Sequence, residues 1–141
     1  MKISIITVTL NSEKTIRDTL NSVFSQSYKY IEHIIVDGGS SDKTLSIIKN
    51  YKFKNKKVFI KKKLGIYESI NFGIKKSTGE YILILNSDDF FQSNNTIQKI
   101  KNQISINKSC DIFLGNVAYF DDLDYYKITR FYSSKNFKRW K

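Results

Sequence analysis

The middle of the chain reads Gly79-Glu80-Tyr81-Ile82-Leu83-Ile84-Leu85-Asn86-Ser87-Asp88-Asp89. The continuous apolar run over 82–85 is typical of a strand that is covered on both faces, as the central strands of an α/β sheet are. Open α/β sheets bind ligands just beyond the carboxyl ends of their strands. The sequence therefore predicts a central strand that delivers Asp88 and Asp89 to a ligand site.

Asp88 and Asp89 are neighbouring carboxylates, and their residue types leave two interpretations open. Hard divalent cations such as Mg²⁺ and Mn²⁺ take oxygen ligands, often one or two carboxylates completed by substrate phosphates, which favours a metal–diphosphate site. Asn-Ser-Asp-Asp is also good turn and helix-cap chemistry. The rest of the chain has to decide between a metal site and a simple turn.

Strands and helices alternate on both sides of this segment. We predict strands at 2–9, 31–37, 58–60 and 82–85, then a short strand at 111–114 and a further strand at 125–132. The intervening segments carry apolar residues at helical spacing, with Asn11 or Ser12 as a cap of the first helix and Gly79 closing the third. The alternation predicts an α/β domain whose mostly parallel sheet has helices on both faces.

The composition limits where the protein works. A length of 141 residues suits one domain, spanning 1–141. The single cysteine, Cys110, excludes an internal disulfide and is expected to be a small buried side chain. No apolar run reaches the roughly 18 residues of a membrane span, and the N-terminus does not resemble a signal peptide. A cytoplasmic location is expected.

The formal charge of +11 indicates an anionic partner or a lysine-rich solvated surface. Lysines are densest over 52–63, where seven of twelve residues are lysine. The sequence has no aromatic pattern of the RNP type found in RNA-binding domains, no zinc-ligand spacing and no helix-turn-helix signal, so we expect no nucleic-acid partner. Peripheral contact with an anionic membrane, at the inner face of the cytoplasmic membrane, is the more plausible alternative.

The loop after the second strand has a site-like composition. Asp37 ends that strand, where a carboxylate can accept hydrogen bonds from a nucleobase or a ribose, and Gly38 and Gly39 allow a tight turn near a ligand. Asp42 is expected to cap the following helix or its turn. His33 has no second histidine or paired cysteine nearby, so we expect a partly exposed strand residue and no metal ligand.

Two nucleotide-binding classes are disfavoured. No Gly-x-Gly-x-x-Gly follows the first strand, and no Walker lysine loop occurs anywhere in the sequence. These absences argue against a dinucleotide-dependent dehydrogenase and against a P-loop NTPase.

Four segments together resemble the nucleotide-sugar-binding half of family 2 glycosyltransferases with the GT-A fold. They are 5–11 (IITVTLN), 36–44 (VDGGSSDKT), 65–71 (GIYESIN) and 79–89 (GEYILILNSDD). The third segment resembles a subgroup that builds lipopolysaccharide and other bacterial surface polysaccharides. Each segment alone is weak, but the order and spacing of all four are specific.

The resemblance implies roles for particular residues. Thr9 and Asn11 would line the nucleotide pocket, and Asp37 would read a uracil-type base. Asp88 and Asp89 resemble the "DXD" motif, with Asp88 near the ribose and Asp89 on a Mn²⁺ or Mg²⁺ ion that bridges the diphosphate. The donor would most naturally be a UDP-sugar and the acceptor a glycan or a lipid-linked molecule, with inversion at the anomeric carbon.

The chain departs from the family pattern in three places. Gly38 stands where a second Asp is common, and Lys63 stands where an acidic residue is usual, although a lysine there can pair with phosphate. The acceptor-binding half, which carries the catalytic base, is not found, so no base is assigned and the domain is expected to be incomplete at its C-terminus. An alternative reading is therefore a non-catalytic nucleotide-binding remnant of a truncated or split glycosyltransferase.

Overall fold

The computed structural model describes residues 1–121 and 124–136, which fall into two compact units, Met1–Asn102 and Gln103–Lys141. Its elements in chain order are β1 (Ile3–Thr9), α1 (Ile16–Phe24), β2 (Ile31–Asp37), α2 (Thr44–Asn50), β3 (Lys56–Ile60), α3 (Ile66–Lys76), β4 (Tyr81–Ile84), α4 (Thr96–Ile106), β5 (Val117–Asp121), β6 (Asp124–Tyr132) and a short 3₁₀ helix (Ser134–Asn136).

The first unit is built on a four-stranded parallel sheet in the order β3-β2-β1-β4. β1 and β2, rich in Ile and Val, are buried along their whole length. Side chains on one face pack against α1, α2 and α4, and those on the other face pack against α3. The predicted mostly parallel sheet with helices on both faces is confirmed.

The contact between α3 and β1 depends on a glycine. A Cβ atom on Gly73 would lie 2.6 Å from Cγ2 of Ile6, so only a residue without a side chain lets the helix approach the strand this closely. α3 connects β3 to β4 across one face of the sheet, so β4 lies beside β1 and not beside β3.

The prediction that 82–85 forms a central strand is wrong. β4 pairs with β1 alone among the described strands, so it lies at an edge of the sheet. Leu83 and Leu85 face the core, whereas Ile82 and Ile84 remain 42% and 47% exposed. A continuous apolar run thus marks a strand that has one face in the core and the other partly exposed.

His33 is fully buried, and the prediction of a partly exposed residue is also wrong. β2 has neighbours on both sides and helices on both faces, which leaves no exposed position along it. The imidazole Nε2 lies 2.9 Å from Thr7 Oγ1, and the ring meets Tyr51 and Phe53 edge-on. Burial lowers the pKa of His33 to about 3, so the side chain is neutral.

A buried carboxylate joins the elements at the amino ends of the strands. Glu32 is buried, and it accepts hydrogen bonds from Ser4 Oγ at 2.6 Å and from the Thr78 N–H at 2.6 Å. Lys57 and Lys2 place their Nζ atoms 2.9 and 3.2 Å from its Oε2. Burial raises the pKa of Glu32, but these donors outweigh burial and hold the pKa well below its usual range.

Gly79 does not close α3 in the way that was predicted. The helix ends at Lys76, the Ser77 N–H donates to the Ile74 carbonyl, and Gly79 has no left-handed φ. Gly79 instead donates its N–H to Ser4 Oγ at 2.8 Å, and a Cβ atom there would lie 2.6 Å from that oxygen. The glycine is needed for close approach to β1.

Three lysines of the 52–63 cluster have partners inside the fold. Lys56 Nζ caps the C-terminal carbonyls of α2, Lys57 pairs with Glu32, and Lys61 lies over the Phe72 ring at 4.6 Å. This dense basic segment is therefore partly a structural feature, and only some of its charge faces solvent.

The second unit is centred on the antiparallel pair β5–β6. The strand predicted at 125–132 is confirmed, one residue longer at its start, but the strand predicted at 111–114 is wrong. Residues 111–114 form no strand in the described part of the chain, and Ile112 and Leu114 are exposed. Cys110 is exposed as well, contrary to expectation. Among the described residues no helix is long and apolar enough to cross a membrane.

Candidate functional site

The four parallel strands end at a common edge, and the predicted site residues lie on the loops that leave it. Thr9 of β1 is in register with Asp37 of β2, which is in register with Ile60 of β3. Strand order reverses between β1 and β4, because β2 and β3 follow on one side and β4 on the other. Ligands of open α/β sheets bind outside the carboxyl ends of the strands at such a reversal.

The Asp37 carboxylate organises the turn after β2. Its Oδ1 accepts the N–H groups of Gly39 at 2.8 Å and Ser40 at 2.7 Å, and its Oδ2 accepts the Ser40 hydroxyl at 2.6 Å. The residue is fully buried. Asp37 therefore fixes the shape of this loop, and further contact of its carboxylate with a ligand would use oxygen lone pairs that the turn leaves over.

Of the two glycines of this turn, only the second has a backbone conformation that favours glycine. Gly38 donates its N–H to the Thr9 carbonyl at 2.9 Å, which locks the β2 loop onto the end of β1. Gly39 has a φ of 97°, in the region that favours glycine, and a Cβ atom on it would lie 2.7 Å from Lys62 Cγ. The prediction of a tight turn at these glycines is confirmed.

Asn11 connects the first two loops. Its backbone is left-handed, with φ 51°, its Oδ1 accepts the Ser41 N–H at 2.9 Å, and its own N–H donates to Ser40 Oγ at 2.9 Å. The prediction that Asn11 or Ser12 caps α1 with its side chain is wrong, because the residue preceding that helix is Thr15 and makes no such bond. Thr9 is buried beside this loop, and its Oγ1 has no partner among the described residues.

Ser12 and Ser87 connect the loops on the two sides of the reversal in strand order. Their hydroxyl oxygens lie 2.8 Å apart, and the Ser12 N–H also donates to Thr44 Oγ1 at 2.8 Å. The sequence analysis did not identify this pair. The available signal was that each serine lies shortly after a strand and next to a predicted site residue.

Asp88 and Asp89 directly follow Ser87 and are both exposed. The Asn86 side-chain amide donates to Asp89 Oδ2 at 3.2 Å, and the Asp89 N–H donates to the Asn86 carbonyl at 3.1 Å. Partial desolvation and then the Asp88 charge raise the pKa of Asp89, against hydrogen bonds to its carboxylate from the side chain and the backbone of Asn86. The two carboxylates concentrate negative charge on a strongly basic protein, and a cation would be favoured beside them.

The described residues contain no group of three or more His, Cys, Asp or Glu side chains that could hold a metal ion by themselves. A cation at Asp88 and Asp89 would therefore need further oxygen ligands. Mg²⁺ commonly binds through one or two carboxylates, with waters and substrate phosphates completing its shell. The donor set fits a divalent ion that binds together with a phosphorylated ligand.

Lys63 lies on the loop between β3 and α3, at the same edge of the sheet. It is exposed and left-handed, with φ 69°. The loop is joined to the β2 turn, because the Lys61 N–H donates to the Asp37 carbonyl at 2.7 Å and the Lys62 side chain lies over Gly39. The predicted site residues of the four loops are therefore brought to one edge.

Asp42 belongs to the loop framework, as expected. Its Oδ1 accepts the Thr44 N–H at 2.9 Å and its Oδ2 accepts the Glu13 N–H at 3.0 Å, while Glu13 accepts the Lys43 N–H at 2.9 Å. Desolvation raises the pKa of Asp42, but hydrogen bonds from the Thr44 side chain and from the N–H groups of Thr44 and Glu13 together hold it below its usual value. The prediction that Asp42 caps the turn is confirmed.

Two surface recesses lie away from the predicted site residues, between α1 and α2. The larger has a volume of about 360 Å³, and the residues lining it are Glu13, Lys14, Arg17, Lys43, Ser46, Ile47 and Asn50. The smaller, of about 210 Å³, shares Arg17, Ile47 and Asn50 with it. Neither recess is lined by Asp37, Asp88 or Asp89.

Comparison with known proteins places the chain in a family. The model of glycosyl transferase family 2 matches residues 4–141. The Escherichia coli protein WfaP, a UDP-Glc:alpha-D-GlcNAc-diphosphoundecaprenol beta-1,3-glucosyltransferase, is 35% identical over 135 residues, which are 94% of this chain and 51% of WfaP. The chain spans about half the length, or less, of the curated relatives that it matches.

Solved structures agree in fold. S. aureus TarS 1-349 in complex with UDP-GlcNAc matches with a TM-score of 0.71 and 34% identity, over 77% of this chain and 32% of that one. The mannosyltransferase PcManGT from Pyrobaculum calidifontis, solved in complex with GDP-Man and Mn²⁺, matches with a TM-score of 0.68 over 88% of this chain and 37% of its own. At 20% identity this second likeness bears on the fold alone. The sheet is that of the GT-A fold, and the chain belongs to glycosyl transferase family 2.

Proposed function

We propose that residues 1–141 form the donor-binding part of a glycosyltransferase that moves a sugar from a UDP-sugar to a glycan or lipid-linked acceptor, with inversion at the anomeric carbon. The single observation that carries this proposal is the meeting of the Asp37 turn and the Asp88–Asp89 pair at one sheet edge, across the reversal in strand order. The relatives named above supply the class of donor and acceptor.

Each loop would contact a different part of the donor. Thr9, Asn11 and the Asp37–Gly38 turn line the end of β1 and β2, where the base and ribose would lie, and the unpartnered Thr9 hydroxyl is a free donor there. Asp88 lies across the reversal in strand order and would contact the ribose. Lys63, on the third loop, would contact the diphosphate as a cation.

Asp89, assisted by Asp88, would hold a Mn²⁺ or Mg²⁺ ion together with the diphosphate oxygens. The fit rests on two exposed carboxylates: partial desolvation and then the Asp88 charge raise the pKa of Asp89, and no third carboxylate among the described residues joins the pair. Such an ion, when bound, offsets the negative charge that grows on a leaving diphosphate. The basic surface of the chain attracts the same anionic donor.

The transfer also needs a base that takes the proton of the acceptor hydroxyl as it attacks the anomeric carbon. No described residue is assigned to this role. Asp121, the last residue of β5, pairs with Lys127 of β6 at 3.2 Å, and Asp122 lies outside the described residues. The reaction is proposed for the protein in its catalytic form, and the chain supplies the donor side.

The acceptor fixes where the protein would work. A polysaccharide or lipid-linked acceptor of the lipopolysaccharide type places the reaction at the cytoplasmic face of the membrane. The proposed location is therefore cytoplasmic, with peripheral contact to the membrane.

Calorimetric titration of the chain with UDP, with and without Mn²⁺, tests the donor site. We expect binding that requires Mn²⁺ and that Asp89→Ala abolishes. Asp111→Ala is the matched control, since it removes one exposed carboxylate from the second unit and leaves the site edge intact.

A folded chain that binds no UDP with Mn²⁺, and also no GDP or thymidine diphosphate, would overturn the donor-site proposal. Binding of GDP alone would correct the base and keep the site. Sugar transfer to an added acceptor, measured separately from binding, distinguishes the enzyme from a non-catalytic nucleotide-binding remnant.

A further inference from the structure

The two recesses between α1 and α2 adjoin one another and differ in their chemistry. They share Arg17, Ile47 and Asn50, and we name the two together the α1–α2 groove. The larger recess, of about 360 Å³, falls within the size range of small-molecule sites. No residue that we assign to the donor lines the groove, so its chemistry is separate from that of the sheet edge.

The larger recess is the cationic end of the groove. Lys14, Arg17 and Lys43 line it, together with one carboxylate, that of Glu13. Within the part of the chain that the structure describes, the side-chain nitrogens of these three cations have no hydrogen-bond or ion-pair partner. Like charges gathered around a concave surface focus the electrostatic potential there, so this end attracts an anion.

The Glu13 carboxylate is engaged by the backbone of the neighbouring loop. Its Oε2 accepts the Lys43 N–H at 2.9 Å, and the Glu13 N–H donates to Asp42 Oδ2 at 3.0 Å. Asp42 also accepts the Thr44 N–H at 2.9 Å through its Oδ1. These bonds fix the backbone that carries Lys43 before a ligand binds, which lowers the cost of ordering the site.

The smaller recess is the apolar end of the groove. Leu20 and Tyr51, which line it, are 2% and 8% exposed, whereas the ring of Phe24 beside them is 55% exposed. An exposed phenyl ring next to buried apolar side chains offers a surface for another aromatic or apolar group. Arg17 and Lys52 also line this recess, so positive charge continues along the groove.

We propose that the α1–α2 groove binds a small phosphate ester that carries an aromatic or apolar group. The phosphate lies at the cationic end, because guanidinium and ammonium groups donate charge-assisted hydrogen bonds to phosphate oxygens. The apolar group packs against Phe24 at the other end. This inference goes beyond the proposed function and does not rest on it.

Charge complementarity favours this ligand over a second copy of the chain. Two copies that met through the groove would bring the cations of one against the same cations of the other, on proteins that each carry +11. Like charges in direct opposition disfavour association. A phosphate ester instead brings negative charge to the cationic end and apolar surface to Phe24.

NMR titration of the ¹⁵N-labelled chain with phenyl phosphate, inorganic phosphate and phenol tests the proposal. EDTA is present and nucleotide is absent, so no divalent ion at Asp88 and Asp89 contributes to binding. We expect phenyl phosphate to shift the amide signals of residues that line the groove. It should bind at least about fivefold more tightly than inorganic phosphate, because its ring buries apolar surface that phosphate lacks.

A matched pair of lysine variants tests the cationic end. Lys43→Gln should raise the dissociation constant for phenyl phosphate at least about threefold, since it removes a charged hydrogen-bond donor. Lys99→Gln removes the same charge at an exposed position of α4 that does not line the groove, and its effect should be smaller. Circular dichroism melts confirm that both variants are folded.

A second matched pair tests the apolar end. Phe24→Ser should abolish the preference for phenyl phosphate over inorganic phosphate and leave the affinity for inorganic phosphate unchanged. Tyr30→Ser, at a residue that is 59% exposed before β2 and outside the groove, should keep the preference. The same melts show whether each of these variants is folded.

Equal loss of affinity in Lys43→Gln and Lys99→Gln would overturn the proposal and show attraction by net charge alone. So would phenyl phosphate that binds no more tightly than inorganic phosphate, or dimers that Phe24→Ser dissolves. Shifts confined to the loops at the carboxyl edge of the sheet would assign the ligand to the donor site instead. Failure of UDP binding would reject the donor site and leave the result for the groove unchanged.

Discussion

The hydroxyl oxygens of Ser12 and Ser87 lie 2.8 Å apart and join the loop after β1 to the loop after β4. These loops flank the reversal in strand order, and Asp88 and Asp89 follow Ser87 directly. The hydrogen bond therefore sets the distance between the two halves of the proposed donor site. Neither serine is itself assigned a contact with the donor.

Ser87→Ala should weaken Mn²⁺-dependent UDP binding while the chain stays folded. A hydrogen bond of this kind contributes about 0.5–1.5 kcal/mol, which corresponds to a roughly two- to tenfold change in the dissociation constant. Titration calorimetry on Ser12→Ala, Ser87→Ala and the double variant measures the coupling. Losses that add independently would show that the two hydroxyls do not act as a pair.

Gly39→Ala should destabilise the chain by about 1–2 kcal/mol, because a non-glycine residue pays roughly that much for a left-handed backbone. Its φ is 97°, and the new Cβ atom would also displace the Lys62 side chain. Gly115→Ala is the control, since nothing lies within 4 Å of its Cβ position. Urea unfolding measures the loss of stability in each variant. Equal midpoints would show that the left-handed backbone at Gly39 puts no strain on alanine.

His33 makes stability depend on pH below neutrality. In the folded chain burial holds its pKa at about 3, whereas in the unfolded chain it takes up a proton near 6.5. The unfolded state therefore binds more protons below pH 6.5, so stability is full above that pH and is lost as pH falls toward 3. Between pH 6.5 and 5 the loss should approach about 2 kcal/mol.

His33→Gln keeps a polar partner for Thr7 and removes the titration. Urea midpoints measured at pH 7, 6 and 5 should be nearly level in this variant and should fall in the parent chain. A parent chain whose stability is flat from pH 7 to 5 would show that His33 is not buried in its neutral form.

Glu32 acts in a more acidic window and in the same direction. Its folded pKa is held below its usual range, so its stabilising effect is present above the unfolded value and is lost as pH falls below it. Glu32→Gln should cost about 1–3 kcal/mol at pH 7, because buried donors lose a charged acceptor. The difference in unfolding free energy between variant and parent should shrink below pH 4.5. Urea unfolding at pH 7 and below pH 4.5 measures this difference, and a constant value would contradict the prediction.

Asp88→Asn should lower the pKa of Asp89. Partial desolvation is the larger cause of the raised pKa, and the Asp88 charge is the smaller. The substitution removes only the smaller cause, so the pKa of Asp89 should fall part of the way toward its usual value. Carbon-detected NMR titration of the Asp89 carboxyl in metal-free protein measures the shift directly. An unchanged titration would mean that the two carboxylates are too far apart to share a cation.

Local sequence chemistry predicted most of the first unit. The Ile- and Val-rich segments at 2–9 and 31–37 became the buried strands, and the double glycine after Asp37 became a turn with one left-handed residue. The site edge followed from the same logic, since parallel strands bring their carboxyl ends together. Position at that edge was predictable because it depends on strand direction and not on side-chain detail.

The wrong predictions concern contacts between distant segments. The burial of His33 depends on the helices over β2, and the exposure of Ile82 and Ile84 depends on which strands flank β4. The cap chemistry of Asn11 and Ser12 was visible, but their partners Ser41 and Ser87 lie 30 and 75 residues away. Propensity cannot choose between a local cap and a bridge to another loop.

The two borders of the parallel sheet carry opposite chemistry. β3 begins with Lys56-Lys57, and lysines on a border strand are a common means of preventing another chain from adding to it. β4 carries no charge from Ile82 to Ile84, turns its isoleucines outward and pairs with β1 alone among the described strands. We therefore expect a further strand to add to the described sheet at β4 and not at β3.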